Sequence, residues 1–313
     1  MSIHISPLSS FFDTIPITKY LNYGIHNYIA RIAVPYFFAA AGFFLFRKID
    51  FIRLDMSIMK DYVLKLLRLL GTWTVLLFVG GKVALWYMGG LAVAVCFLSY
   101  LLYKRVSIKK MIIIAILLYI IGLLGDPYFG LIKALQNNSI VYYAVKAYDK
   151  MFGTTRNGLF MGFPFLLLGG VIEKKKVTMK PLHAFFGFSL SMLLLLCEAV
   201  LIKLYDLPKD VNMYIFLVPA TFFLLVFSTN VQVKRGIIFR KLRNVSIIVY
   251  FSHIFIHAWI IWGWKILDRL FGINLNNSLM NYFLTVIIAT ILGLLIDYLS
   301  KKEKYSFLKY LYS

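Results

Sequence analysis

Long apolar runs separated by short polar segments are the dominant pattern of this 313-residue chain. Runs of about 18 or more apolar residues recur along its whole length, and such runs are typical of helices that cross a bilayer. Nothing between them alternates like a strand, and only helices or closed barrels satisfy the backbone in lipid. We predict an all-α membrane bundle of nine helices, at 29–46, 63–81, 84–103, 110–125, 157–173, 183–204, 212–231, 244–264 and 279–299.

The polar segments alternate in charge along the chain. Lys and Arg concentrate at 47–60, 104–110, 174–180, 234–243 and 301–309, whereas the segments around 82, 126–156, 205–211 and 265–278 carry much less charge. If all nine runs span, every basic cluster falls on one side, and the positive-inside rule makes that side cytoplasmic. We therefore expect a single domain over 1–313 in a bacterial cytoplasmic membrane. Its parts would be an extracytoplasmic segment 1–28, a transmembrane bundle 29–299 and a cytoplasmic tail 300–313.

Composition supports the same class of protein. Hydrophobic residues make up 61% of the chain and charged residues 15%, too little polar cover for a soluble domain. The net charge of +21 would suggest nucleic acid in a soluble protein, but here membrane topology explains it. We expect the lipid bilayer as a partner and no nucleic acid. Cys96 and Cys197 lie inside apolar runs, with neither a disulfide framework nor metal-ligand spacing.

Ionisable side chains within apolar runs are the first candidates for chemistry, because they are costly in a membrane. Arg31 and Glu198 lie within such runs, and His4 lies near the N-terminus, where a missing helix would end. Each also has a simpler interpretation. His4 could be a solvated terminal histidine and Arg31 an interfacial anchor, while Glu198 could extend its carboxylate towards the outer surface.

A second group of candidates lies at helix starts and on one helix face. His253 and His257 are four residues apart, so they share a face, but no third ligand has diagnostic spacing and we expect no metal. Trp86 is a typical interfacial aromatic residue, and in "GTTRNGLFMGFP" either Arg156 or Asn157 could face a cavity. The predicted substrate-binding residues are Trp86, Arg156, Asn157, Glu198 and His253.

Seven stretches in order carry a family resemblance: "SIHISPL", "RIAVPYFFAAAGFFLF", "KDYVLKLLRLLGTWTVLLF", "ALWYMGGLAVAVCFLSYLLYKR", "IIGLLGDPYFGL", "TRNGLFMGFPFLLLGGVIEKK" and "IVYFSHIFI". Together they cover nearly the whole chain and resemble the acyltransferase family 3 integral membrane proteins. The set is similar above all to the membrane domain of the vancomycin-resistance serine racemase type, and we expect this chain to lack the soluble racemase domain.

The resemblance implies a ten-helix core that moves an acetyl group from cytoplasmic acetyl-CoA to an extracytoplasmic hydroxyl of a cell-envelope glycan or a related small molecule. On this basis His4 would be the catalytic general base or acyl relay, and Arg31 would orient the site or stabilise negative charge. Lys65 and Arg68 would face the phosphates of CoA.

Two departures from the family pattern affect this expectation. Only three residues precede His4, so the family's preceding arginine and most of its first helix are missing. Leu64 stands where one of two cytoplasmic arginines is expected. We therefore expect the 313-residue form to be impaired. A carrier for a small amino acid such as serine, and an inactive remnant kept as a scaffold, are the alternatives.

Overall fold

A computed structural model of the chain describes residues 5–51, 55–77, 86–134, 139–152, 154–231, 236–272 and 276–312. Over these residues the chain is helical and forms no strand, which confirms the predicted all-α class. The α-helices are α1 (Ile17–Asn27), α2 (Ala33–Phe46), α3 (Ser57–Leu77), α4 (Trp86–Tyr103), α5 (Ile108–Leu124), α6 (Phe129–Ala134), α7 (Ser139–Phe152), α8 (Phe163–Lys174), α9 (Pro181–Leu204), α10 (Leu217–Asn230), α11 (Ile237–Phe271) and α12 (Ser278–Leu299).

Five helical segments among the described residues are long and apolar enough to cross a membrane. They are Ile17–Phe46, Trp86–Tyr103, Pro181–Leu204, Ile238–Phe271 and Ser278–Leu299. The predicted number of nine is not confirmed, because a full span needs about 20 residues. The helices α8 and α10 have 12 and 14 residues. Helix α1 lies within the segment predicted to precede the bundle, and α6 and α7 lie within the weakly charged segment 126–156.

Large apolar side chains cover the outward surfaces of these helices. Ile113 on α5, Leu193 on α9 and Ile291 on α12 are each more than half exposed. Soluble monomers rarely expose so much contiguous apolar surface, so these faces indicate contact with the lipid bilayer.

The chain forms two compact units. The first unit comprises the described parts of 1–26, 64–86 and 233–313, and the second unit comprises those of 27–63 and 87–232. In the first unit α11 packs against α12, and the N-terminal segment is attached to the start of α12. Ser278 Oγ donates to the Pro7 carbonyl at 2.9 Å, and the Ser10 amide donates to Ser278 Oγ at 2.9 Å. The described part of the predicted extracytoplasmic segment is therefore attached to α12 at Pro7 and Ser10.

In the second unit α2 packs against α8 in very close backbone contact. A Cβ on Gly42 would overlap the Leu166 carbonyl, and a Cβ on Gly169 would overlap the Ala39 carbonyl. Small residues at a helix crossing allow the backbones to approach closely, which is a common way for membrane helices to associate. This crossing holds α2 in place, and Arg31 lies directly before α2.

Candidate functional site

The buried side chain of Asn212 is the centre of a charged cluster in the second unit. Asn212 precedes α10 and is 2% exposed. Its Oδ1 accepts a hydrogen bond from Arg31 Nη1 at 2.5 Å and another from Arg156 Nη1 at 3.0 Å. Two guanidinium groups therefore meet at one amide oxygen. Like charges this close disfavour each other unless negative charge lies nearby.

Asp126 provides that negative charge behind Asn212. It is 1% exposed and follows α5. Its Oδ1 accepts a hydrogen bond from the backbone N–H of Asn212 at 3.0 Å, and its Oδ2 accepts one from the side-chain Nδ2 of Asn212 at 3.2 Å. Because Asp126 binds the backbone N–H and the Nδ2 of Asn212, the side-chain Oδ1 of Asn212 faces the two arginines.

The surroundings of Asp126 act on its acidity in opposite directions. Burial, and to a lesser extent the neighbouring Asp210, raises the pKa of Asp126, and its net value is about 6. The hydrogen bonds from Asn212 and the charge of Arg31 lower the pKa, but they do not offset the loss of solvation. The carboxyl of Asp126 therefore changes its charge close to pH 6.

Arg31 lies in a short 3-10 turn, Ile29–Ile32, that leads into α2. Its Nη2 donates to Asn27 Oδ1 at 2.9 Å, and the Asn27 carbonyl accepts Tyr214 Oη–H at 2.8 Å. Its Nε is buried and has no hydrogen-bond partner among the residues that the structure describes. A buried donor without an acceptor is costly. An oxygen atom of a ligand would relieve that cost.

Arg156 lies in a segment whose backbone is stabilised by the hydrogen bonds of Asn157. Asn157 Oδ1 accepts the amides of Leu159 and Phe160 at 3.0 and 3.1 Å and so caps the helical turn Gly158–Gly162. Asn157 Nδ2 donates to the Thr154 carbonyl at 3.1 Å. Of the two residues predicted from "TTRNG", Arg156 joins the cluster and Asn157 supports the backbone beside it.

Glu198, also predicted to bind substrate, is fully engaged with protein groups. Its Oε1 accepts Tyr128 Oη–H at 2.6 Å and the Ile215 amide at 2.7 Å, and its Oε2 accepts the Phe216 amide at 3.0 Å. Burial and this hydrogen bond raise the pKa of the Tyr128 phenol. The Glu198 carboxylate lies beside the N-terminal end of α10, and its negative charge complements the positive end of that helix dipole. Glu198 thus ties α9 to the start of α10.

The other predicted residues lie outside this cluster. His4 is outside the described residues, and Trp86 is the first residue of α4. Lys65 and Arg68 are exposed on α3, where the Arg68 guanidinium lies 5.9 Å from the Tyr310 ring centre.

His253 is buried on α11 in the first unit, and its Nδ1 lies 2.7 Å from the Tyr250 carbonyl oxygen. His257 Nδ1 lies 3.4 Å from Thr285 Oγ1 on α12. Within the described parts of the chain, no three His, Cys, Asp or Glu residues are grouped so that they could hold a metal ion.

The sequence interpretation missed Asp126, Asn212 and Asn27. Asp126 stands in "LLGDPYF" and Asn212 in "DVNMY", each at the edge of an apolar run. A polar residue at such an edge is ordinary, so only the fold reveals that they meet. What the sequence does supply is the pair of arginines, each at the start of a predicted helix.

Comparison with known proteins gives relatives of one kind. An amino-acid racemase of Enterococcus faecalis is 26% identical over 329 residues, covering 97% of this chain and 44% of that protein. A serine/alanine racemase of Enterococcus gallinarum is 30% identical over 303 residues, covering 88% and 41%. A second amino-acid racemase of Enterococcus faecalis is 24% identical over 340 residues, covering 98% and 45%. The chain spans less than half the length of these curated relatives.

No family model matches the chain, and no solved structure matches it. The membership in acyltransferase family 3 that the resemblance suggested is therefore not supported. The part of the resemblance that pointed to serine racemases agrees with these names, since one relative is named a serine/alanine racemase and two are named amino-acid racemases.

The predicted function is wrong. An O-acetyltransferase acting on an envelope glycan was expected, but the relatives are named amino-acid or serine/alanine racemases. Their names support neither acetyl-CoA as a donor nor the alternative of a serine carrier. The physical reason for the error is the nature of the motifs, since short apolar stretches occur in membrane helices of many families and carry little information on chemistry.

Proposed function

We propose that the chain is a membrane module that binds a small zwitterionic amino acid, of the serine or alanine class, at the Arg31–Asn212–Arg156 cluster. The observation that carries the proposal is the convergence of the two guanidinium groups on Asn212 Oδ1. Guanidinium groups are well suited to bind a carboxylate, because their N–H donors match its two oxygens. Arg31 Nε adds a buried donor that needs an acceptor.

The charge balance of the cluster also favours a zwitterion. Arg31 and Arg156 are basic, Asp126 and Asp210 are acidic, and both carboxyl groups act electrostatically on Arg31. A carboxylate on the arginines and an ammonium towards the aspartates would match both signs, whereas a simple anion would match one. The names of the relatives support the same ligand class, since serine and alanine appear in one of them.

The arrangement of the helices favours the outer side of the membrane for this cluster. Arg31 precedes α2 and Asp126 follows α5, whereas Arg47 and Lys48 follow α2 and Lys109 opens α5. The cluster therefore lies at the helix ends opposite the basic residues. With the basic ends in the cytoplasm, the amino acid would bind from outside a bacterial cytoplasmic membrane, and the C-terminal tail would be cytoplasmic.

Equilibrium binding of radiolabelled L-serine and L-alanine to the purified chain in lipid nanodiscs tests the proposal. We expect saturable binding that Arg31→Gln lowers at least tenfold. Arg47→Gln is the matched control, because Arg47 is an exposed arginine at the other end of α2. Absence of saturable binding of both amino acids, or equal losses in the two variants, would overturn the proposal.

A further inference from the structure

An apolar groove in the second unit is separate from the charged cluster. Its volume is about 580 Å³, and it lies between α5, α8 and the start of α10. Ile112, Ile116 and Ile120 line it on α5, Leu168 on α8 and Val218 on α10. Tyr119 also lines it, but its hydroxyl donates to the Tyr214 carbonyl at 2.7 Å. The groove therefore has nothing to offer a polar ligand along its length.

The length of the groove matches one leaflet of a bilayer. Its lining on α5 runs from Ile112 to Leu123, which at the rise of an α-helix is about 16 Å. The hydrocarbon core of a bilayer is about 30 Å thick, so the lining covers about half of it. An acyl chain that descends from one membrane surface would fill such a groove.

One end of the groove is basic on both of its long walls. Lys109 lies three residues before Ile112, and Lys175 lies four residues after Val171, so helical periodicity places each lysine on the face that lines the groove. Because α5 begins and α8 ends at this side, the two lysines mark the same end. Both are exposed.

The neighbouring basic residues at this end have other partners or directions. The Lys174 ammonium lies 3.6 Å from the centre of the Phe51 ring, and Lys176 pairs with Glu173. Lys110 follows Lys109 directly, which turns it about 100° around the helix and off the groove face. Of the five lysines at 109, 110 and 174–176, Lys109 and Lys175 are therefore the two placed on the groove face.

We propose that the groove binds one acyl chain of an anionic phospholipid, whose phosphate is held by Lys109 and Lys175. The apolar walls supply affinity for the chain, and the lysines select the negative headgroup. A phospholipid without net charge gains the same apolar contacts but less from the two lysines. The proposal does not depend on the amino-acid site, which lies at the opposite helix ends.

Native mass spectrometry of the chain released from nanodiscs that contain equal amounts of phosphatidylglycerol and phosphatidylethanolamine tests this proposal. We expect retained phosphatidylglycerol to exceed phosphatidylethanolamine. Each of Lys109→Gln and Lys175→Gln should lower that preference about fivefold, and the double variant about twenty-five-fold. Lys110→Gln, the matched control, should leave the preference unchanged.

A second variant tests the groove itself. Ile116 lines it and is half exposed, so Ile116→Trp should fill the groove without disturbing the core and displace the retained lipid. Equal retention of the two lipids by the unchanged chain would overturn the proposal. So would a loss of preference in Lys110→Gln as large as in Lys109→Gln, or undiminished lipid retention by Ile116→Trp.

Discussion

Glu198 and Arg31 are both charged residues placed in apolar surroundings in the second unit, but their polar atoms are used differently. The two oxygens of Glu198 accept three hydrogen bonds from Tyr128, Ile215 and Phe216. Arg31 donates to Asn212 and Asn27 and retains a buried Nε without an acceptor in the described structure. A satisfied charge ties helices together, whereas an unsatisfied one beside a second guanidinium is ready for a ligand.

The largest expected effect is a loss of stability in Glu198→Ala. The variant leaves three part-buried donors without their charged acceptor, which should lower the free energy of unfolding by about 3 kcal/mol. Thermal unfolding of the detergent-solubilised chain measures this. Serine affinity of the folded fraction should stay within about twofold. A stable Glu198→Ala variant that has lost serine binding would instead make Glu198 a ligand residue.

The next effect is a pH dependence of stability that comes from Asp126. Burial raises the pKa of Asp126 from its ordinary 3.8 to about 6, so the folded chain binds this proton more tightly than the unfolded chain. The contribution to stability is present below about pH 4 and is lost as the pH rises through about 6. It is on the order of 2–3 kcal/mol.

Unfolding of the unchanged chain and of Asp126→Asn, followed from pH 4 to pH 7, isolates this contribution. Other carboxyl groups affect both proteins alike and cancel in the difference. The stability difference between the two proteins should therefore change across this interval. A difference that is constant from pH 4 to pH 7 would show that Asp126 titrates at its ordinary pKa.

Arg31→Gln should mainly weaken the binding of serine, and its effect on the free energy of unfolding should be smaller. A hydrogen bond to a charged group contributes about 2 kcal/mol, so the Kd for serine should rise roughly thirtyfold. Arg156→Gln should behave similarly. Because the two arginines share Asn212 Oδ1, their effects should couple in a double-mutant cycle. Strictly additive losses would argue that they do not hold one ligand.

The smallest effect is expected at Asn157. Loss of its cap on the amides of Leu159 and Phe160 should lower the free energy of unfolding by about 1 kcal/mol. Asn157→Asp keeps the accepting oxygen and serves as the control. Chemical denaturation of both variants provides the measurement, and equal losses in Asn157→Ala and Asn157→Asp would be incompatible with a capping role.

The sequence predicts the helices well where apolar runs are long. The predicted run 84–103 corresponds to Trp86–Tyr103, and 279–299 to Ser278–Leu299. It does not predict α1 or α7, because these helices are short and mix polar with apolar residues. Periodicity is a weak signal in such segments.

The candidate site was predicted only in part. Arg31 stands out in the sequence because charged residues are rare in apolar runs, and Arg156 stands out because it directly precedes the predicted helix 157–173. The contact that joins them passes through Asn212 and Asp126, which are 86 positions apart. No local pattern reports a pairing over that separation. The hydrogen-bond partners of Glu198 could not be predicted from the sequence either, because two of them are backbone amides.

The most direct test of the amino-acid site is the shift in Tm that L-serine causes, compared with ethanolamine, which has the same ammonium and hydroxyl groups but no carboxylate. A ligand at 100 times its Kd stabilises the folded state by about 2.7 kcal/mol. If the arginine cluster holds the carboxylate, serine raises Tm, ethanolamine does not, and Arg31→Gln abolishes the serine shift. Equal shifts with both compounds, or a serine shift that persists in Arg31→Gln, would contradict the proposed site.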